Sequence, residues 1–199
     1  MITAALALLP LQGMAQDLPA RIKDAGVLTL ATNPNDAPIT YKDPATNTLT
    51  GVDIKLGEAI AARLGLKVVW EEIAFAQILP SLQTERVDMV MAGVGDTKAR
   101  QEVADFIDYM QSGAQFYVAH ERAAKFAEVS ICGKKVGASR SATWPDAVAA
   151  WSTTNCESNG LTAIEVIGSE GSADARTQMK TEDRRGCAGA GNSALFQSA

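Results

Sequence analysis

Short apolar runs alternate with longer segments whose apolar positions recur every three to four residues, and that rhythm predicts alternating strands and helices. Val27-Leu28-Thr29-Leu30-Ala31 reads as a buried strand, followed by the polar loop Asn33-Pro34-Asn35-Asp36-Ala37-Pro38. Asn47 to Gly51 reads as a turn. Asp53 is placed to N-cap a helix whose apolar face holds Leu56, Ile60 and Leu64, with Gly65 as its stop. Lys67 to Trp70 gives a second strand, and Phe75 to Leu82 a second helix that Pro80 kinks or shortens. Val87 to Gly93 is a third strand, and Thr97 to Phe106 a third helix capped by Asp96 or Thr97. Gln115 to Ala119 is a fourth strand. Three β–α units in a row predict a parallel sheet covered by helices, with a site beyond the carboxyl ends of the strands. The loops after Ala31 and Gly93 are the first places such a site would lie.

The pattern restarts after Glu121. Ala123 to Val129 connects to a strand at Lys135–Ala138, a helix at Trp144–Trp151, a strand at Ala163–Ile167 and a helix opening at Ala173–Lys180. This is a second, smaller α/β lobe. Thr181 to Ala199 has no clear period, with Gly and Ala crowded between Gly186 and Gly191, and is predicted to be irregular.

Composition narrows the function classes. The chain has 199 residues, 47% hydrophobic and 21% charged, which fits a folded globular protein of one domain or two small lobes. A net charge of −5 argues against a nucleic-acid partner. One His and three Cys leave too little for a zinc site, so no metal and no cofactor is expected. No apolar stretch is long enough to span a bilayer.

Residues 1–15 have the character of a signal peptide. Ile2 to Leu11 is an apolar run, and Gly13-Met14-Ala15 offers small residues for cleavage. No Lys or Arg precedes Arg21, so the basic start of such a peptide is missing, as it would be if the start codon were placed too far downstream. The competing reading is a buried N-terminal helix, which Pro10 and Gly13 would both interrupt. Export implies an oxidising compartment.

From about Ala20 to Lys180 the chain resembles the family 3 extracellular solute-binding proteins, the polar amino-acid binders of ABC importers. The blocks that carry the resemblance are Gly51-Val52-Asp53-Ile54-Lys55-Leu56, Ala59-Ile60-Ala61-Ala62-Arg63-Leu64-Gly65 and Phe75-Ala76-Gln77-Ile78-Leu79-Pro80-Ser81-Leu82. Further on they are Asp88, Ala92-Gly93, Thr97-Lys98-Ala99-Arg100, Phe106, Tyr109, Ser112-Gly113, Val118 and Gly133-Lys134-Lys135-Val136-Gly137. Each block alone is weak, and their shared order and spacing carry the weight. The resemblance implies a bilobed α/β fold of the type II periplasmic-binding-protein kind that closes like a hinge. Lobe 1 would span 17–110, a hinge crossover 111–119 and a partial lobe 2 120–180, leaving the second lobe incomplete. It also implies a periplasmic, monomeric protein that binds an amino acid or similar small polar carboxylate. An ABC permease in the inner membrane is the implied partner, and no covalent chemistry follows. The competing readings are a dehydratase-like enzyme on the same scaffold, with Asp36 and Glu72 as acid–base candidates, and a non-functional fragment.

The resemblance assigns ligand-binding roles residue by residue. Arg100 would grip the ligand carboxylate with its planar fork; otherwise it is a helix Arg paired with Asp96. Gly93 and Gly95 would present backbone groups to the ligand, or merely serve the turn after a strand. The family often has a hydroxyl residue at the Gly95 position. Phe75 would stack on the ligand, or pack in the core. Asn33 and Asp36 would line the pocket, or make Asx-turns beside Pro34 and Pro38. Asp36 stands where the family often has an aromatic, which points to a cationic group on the ligand. Ser139, Ser141 and Thr143 lie in a loop that opens a helix, where N–H groups favour a carboxylate; Thr143 alternatively serves only as N-cap. Cys132 and Cys156 read as a disulfide around about two dozen residues, worth ~3 kcal/mol in the chain-entropy account, and some family members carry a similar pair. Two independent thiols are the alternative, and Cys187 is left unpaired.

The family continues past Lys180 with a Gly-Arg-x-Asp-Ala motif whose Asp binds the ligand ammonium. Here the chain reads Thr181-Glu182-Asp183-Arg184-Arg185-Gly186-Cys187. A one-base shift of suitable codons reads Arg-Ile-Asp-Ala-Val, so 181–199 is expected to be an out-of-frame tail that lacks the ammonium-binding Asp and a return strand. The ligand, the permease and the oligomeric state are not written in the sequence.

Overall fold

The computed structural model describes residues 18–111, 113–118, 131–181 and 187–193. Residues 1–17, where a leader is expected, and Ser112 of the expected crossover lie outside that set, as do 119–130, 182–186 and 194–199.

The first lobe is built on Val27–Thr32 (β1), the middle strand of a parallel sheet. Lys67–Glu72 (β5) flanks it on one side and Met89–Val90 (β6) on the other. Alternation along β1 sends side chains to two separate cores. Leu28 and Leu30 pack with Ile22 of α1 (Ala20–Ala25) and Ala61 of α2 (Val52–Arg63). Ala31 packs with Ile78 of α3 (Ile78–Gln83), Ile73 and Val87. Between β1 and α2 the chain folds a small antiparallel sheet of Asn35–Asp36 (β2), Thr40–Lys42 (β3) and Leu49–Thr50 (β4). Sequence pattern had shown only a loop and a turn there, because strands of two or three residues are too short to display a period.

Helix α2 comes very close to the sheet at Gly57. A Cβ there would lie 2.7 Å from both Leu30 Cδ1 and Trp70 Cη2, so the approach requires glycine. The expected cap, Asp53, does not cap: Gly51 holds the N-cap position, and Asp53 is drawn inside the first turn and fully buried. Leu64 is 43% exposed rather than part of the apolar face, since the helix ends at Arg63. Phe75–Gln77 forms a 3-10 turn before α3, and Pro80 sits in the first turn of α3, where a missing N–H costs little. The expected helix from Thr97 to Phe106 shortens to Lys98–Gln101 (α4), capped by the Thr97 side chain. Past it the apolar residues find no sheet to cover, and Val103 is 43% exposed.

The second lobe holds a four-stranded sheet in the order β7–β10–β8–β9. Its strands are Gly113–Tyr117 (β7), Lys135–Ser139 (β8), Glu165–Ser169 (β9) and Cys187–Ser193 (β10). Trp144–Asn155 (α5) and Ser172–Thr181 (α6) complete it. The core gathers Ile131, Val136, Ala138, Val148 and Ile164, and Phe116 meets Trp151 edge-on at 5.2 Å. Cys132 and Cys156 form a disulfide across 24 residues, with Cα atoms 5.5 Å apart.

One expectation is corrected here. Residues 187–193 are not irregular: β10 runs antiparallel to β7 and parallel to β8, in the interior of the sheet. A Gly/Ala-rich segment carries no strand signal of its own and is fixed by the ladders on both its sides. Within the expected 111–119 crossover, the strand read at Gln115–Ala119 is present as β7, placed two residues earlier at Gly113–Tyr117.

Candidate binding cleft

A cleft of about 800 Å³ separates the two lobes. It opens where sheet strands end, as α/β sheets require. Of the nine residues given ligand-binding roles from the sequence, eight (Asn33, Asp36, Phe75, Gly93, Gly95, Arg100, Ser139 and Thr143) line this one cleft, and Ser141 stands outside its lining. They come from loops after β1, β5 and β6, from α4, from the end of β8 and from the start of α5.

Arg100 stands at the junction of the lobes. Its Nη1 donates to Gly95 O at 2.8 Å, and its Nη2 reaches Ser141 O of the second lobe at 3.1 Å. The guanidinium carbon lies 5.9 Å from the centroid of the Phe75 ring, within cation–π range. Burial pulls the Arg100 pKa below its ordinary value, because desolvation disfavours the charged form. The alternative helix pair with Asp96 is not formed: Asp96 instead accepts from Gln101 Nε2 at 2.9 Å. No carboxylate of the described residues makes an ion pair with Arg100.

The two glycines are less open than expected. Gly93 has φ +58°, a left-handed conformation that favours glycine, and its N–H donates to Asp53 Oδ2 at 2.7 Å. The Gly95 carbonyl is already held by Arg100. Those two backbone groups therefore have protein partners. A Cβ at Gly95 would meet only Arg100 Nη1 at 3.7 Å, so packing does not exclude a larger residue.

Phe75 packs half-buried against the Ile73–Ile78 core, and its ring, which borders the cleft, faces Arg100. Asn33 is part of the scaffold: its Nδ2 donates to Ile73 O at 2.9 Å, tying the end of β1 to the end of β5. Its Oδ1 accepts from Asn35 Nδ2 at 3.1 Å. Asp36 borders the cleft, and its charge raises the pKa values of both Asp53 and Tyr117. Thr143 occupies the N-cap position of α5, yet its side chain makes no capping bond. Glu72 does not join the cleft; it pairs with Lys42 at 2.9 Å, so of the two acid–base candidates only Asp36 borders the cleft.

Sequence reading missed three contributors. Tyr109 and Trp144 line the cleft. Tyr109 had been noted only as part of a crossover motif and Trp144 only as the start of a helix. Asp53 supports the wall from behind, accepting the Tyr109 hydroxyl at 2.6 Å. A carboxylate at the cap position of a helix gives no sign that it will turn inward. Among the described residues no His, Cys, Asp or Glu cluster could hold a metal, and no helix is long and apolar enough to cross a membrane.

The profile of the bacterial extracellular solute-binding proteins, family 3, matches residues 28–192. An arginine-binding protein of Corynebacterium glutamicum is 30% identical over 162 residues, covering 81% of this chain and 53% of its own. An L-cystine-binding protein of Bacillus subtilis is 41% identical over 92 residues, 46% of this chain and 34% of its own. Among solved structures, an ancestral amino acid-binding protein, a precursor of cyclohexadienyl dehydratase, is similar with a TM-score of 0.72 at 28% identity. That match covers 86% of this chain and 72% of the ancestral one. The chain spans about half the length, or less, of these two curated relatives.

Proposed function

The chain belongs to the bacterial extracellular solute-binding proteins, family 3, and on that premise we propose that its cleft captures a small polar carboxylate of the amino-acid type for uptake through an ABC permease. The observation that carries this is Arg100, a desolvated guanidinium held by two carbonyls and an aromatic face. Carbonyls supply dipoles but no compensating charge. A ligand carboxylate would supply it bidentately beside a partly desolvated guanidinium. The relatives named for arginine and cystine support this class of ligand.

The ammonium end needs an anion. The Gly-Arg-x-Asp-Ala motif is absent from 181–187, and Asp36, Asp96 and Asp108 border the cleft instead. Asp36 is the partner favoured here, because it stands on the wall formed by β2 where an aromatic is usual. Export through residues 1–15 fits this reading, and the disulfide supports an oxidising compartment.

Calorimetric titration of the full chain with a panel of amino acids tests the proposal. Saturable binding without product is expected. Arg100→Ala should weaken it by on the order of 100-fold, the loss of a bidentate charged contact; retained affinity would refute the carboxylate role. The enzyme reading draws on the dehydratase-precursor neighbour, and turnover of a bound substrate would favour it.

A further inference from the structure

Asp53 is fully buried, yet it makes no ion pair among the described residues. An enclosed carboxylate without a counter-charge is costly, and the surroundings must offset that cost. They do so with oriented donors. Oδ2 accepts the Gly93 N–H at 2.7 Å, and Oδ1 accepts the Tyr109 hydroxyl at 2.6 Å. The first turn of α2 adds the positive end of a helix dipole. Among the described residues the charge that acts on it is that of Asp36, of like sign. Starting α2 does not require this side chain, since Gly51 already holds the cap position and the Asp53 backbone N–H is bonded to Ile39 O at 3.0 Å.

What the carboxylate joins is informative. Gly93 lies on the cleft wall in the loop after β6, with φ +58°. Tyr109 lies on the passage from α4 to β7, the stretch that carries the chain from the first lobe into the second, and it also borders the cleft. One side chain thus bonds both the Gly93 wall and the irregular segment that leads into the second lobe. We propose that Asp53 is a positioning residue that, together with the Tyr109 hydroxyl, couples the Gly93 backbone to movement of the interlobe crossover. Displacement of the crossover on opening draws on Tyr109, and through Asp53 it alters how Gly93 faces the cleft. A ligand held across both lobes then favours the arrangement in which both bonds are intact. This deepens the ligand-binding proposal and rests on the same cleft.

The test uses the full chain, as wild type, Tyr109→Phe and Asp53→Asn, and reads the Gly93 amide by nuclear magnetic resonance without ligand. Tyr109→Phe removes a single oxygen. It should shift the Gly93 amide resonance and speed its hydrogen exchange roughly tenfold, the scale of one charged hydrogen bond. Leu30 and Val136 amides should keep their wild-type rates. Asp53→Asn should act more strongly at Gly93; should it fail to fold, Tyr109→Phe decides alone. An unmoved Gly93 amide overturns the coupling, and so does a uniform rise in exchange throughout β1 and β6, which a merely structural role would give. The same proteins are titrated with amino acids, using the Trp144 fluorescence. Affinity weakened roughly tenfold in Tyr109→Phe supports the coupling, and equal affinity overturns it. If wild type binds nothing while Gly93 still responds to Tyr109→Phe, the coupling stands and the proposed function falls.

Discussion

Half-buried Arg100 and fully buried Asp53 are charges of opposite sign on the same lobe, and each is stabilised by neutral groups rather than by the other. Arg100 has carbonyls and a ring, whereas Asp53 has an amide and a phenol. Their environments make different predictions. Burial raises the Asp53 pKa above 3.8, Asp36 adds to the rise, and the two hydrogen bonds only partly oppose it. A carboxyl that binds its proton more tightly when folded costs stability while ionised. Relative to Asp53→Asn, the wild type should therefore gain stability as pH falls through the raised native value, and stop gaining below about 3.8. Urea denaturation of both proteins between neutral and mildly acidic pH checks this; a difference that grows with rising pH in favour of the wild type would contradict it. The same burial and the Asp53 bond push Tyr109 well above the ordinary phenol range, so its hydroxyl remains a donor at any physiological pH. The residue types at the cleft are legible in the sequence, and eight of the nine come together there. Their partners are not: that Gly93 N–H belongs to Asp53, and the Gly95 carbonyl to Arg100, depends on where three loops converge.

Among the elements, α2 and β10 show opposite relations between local signal and final structure. Helix α2 was visible from its spacing, and its placement is limited by Gly57. Gly57→Ala gains about 1 kcal/mol of helix propensity but overpacks Leu30 and Trp70, at about 1–3 kcal/mol. The net expectation is a loss of up to about 2 kcal/mol in urea denaturation; a stabilised variant would show that the two side chains simply swing aside. Strand β10 carried no signal, and its position between β7 and β8 gives it two ladders. Proline at Gly189 should therefore release lobe 2, seen as faster amide exchange in both β7 and β8, because a proline cannot donate within an interior strand. Unchanged exchange in both neighbours would count against the pairing. Helix α4 shows the reverse failure. The pattern continued to Phe106, yet the helix stops at Gln101, because periodicity describes a face and not whether anything is there to cover it.

At the scale of the whole molecule, the two lobes hold separate cores, and stability should respond lobe by lobe. Removing the Cys132–Cys156 bond by a paired Ser substitution is expected to cost roughly 3 kcal/mol, from loop entropy. The loss should fall on Val136 and Ile164 amides while Leu30 keeps its protection; equal loss in both lobes would show that they unfold as one. Ligand binding should act on both lobes together, since the cleft draws residues from each. A ligand at about a thousand times its dissociation constant adds about 4 kcal/mol. That gain should appear as protection on both sides of the cleft, and protection confined to the first lobe would argue against closure.

The sequence by itself determined the α/β alternation, the parallel first sheet, the two-lobed plan and the residue types at the cleft. Those follow from local periodicity and from residue chemistry, both of which are written along the chain. Tertiary structure alone decided that Asp53 turns inward and that Glu72 faces Lys42 instead of the cleft. It also decided that α4 ends early and that 187–193 becomes an interior strand. Each of these turns on which surface lies opposite a residue, and a hydrogen bond or ladder between residues far apart in the chain leaves no period to read.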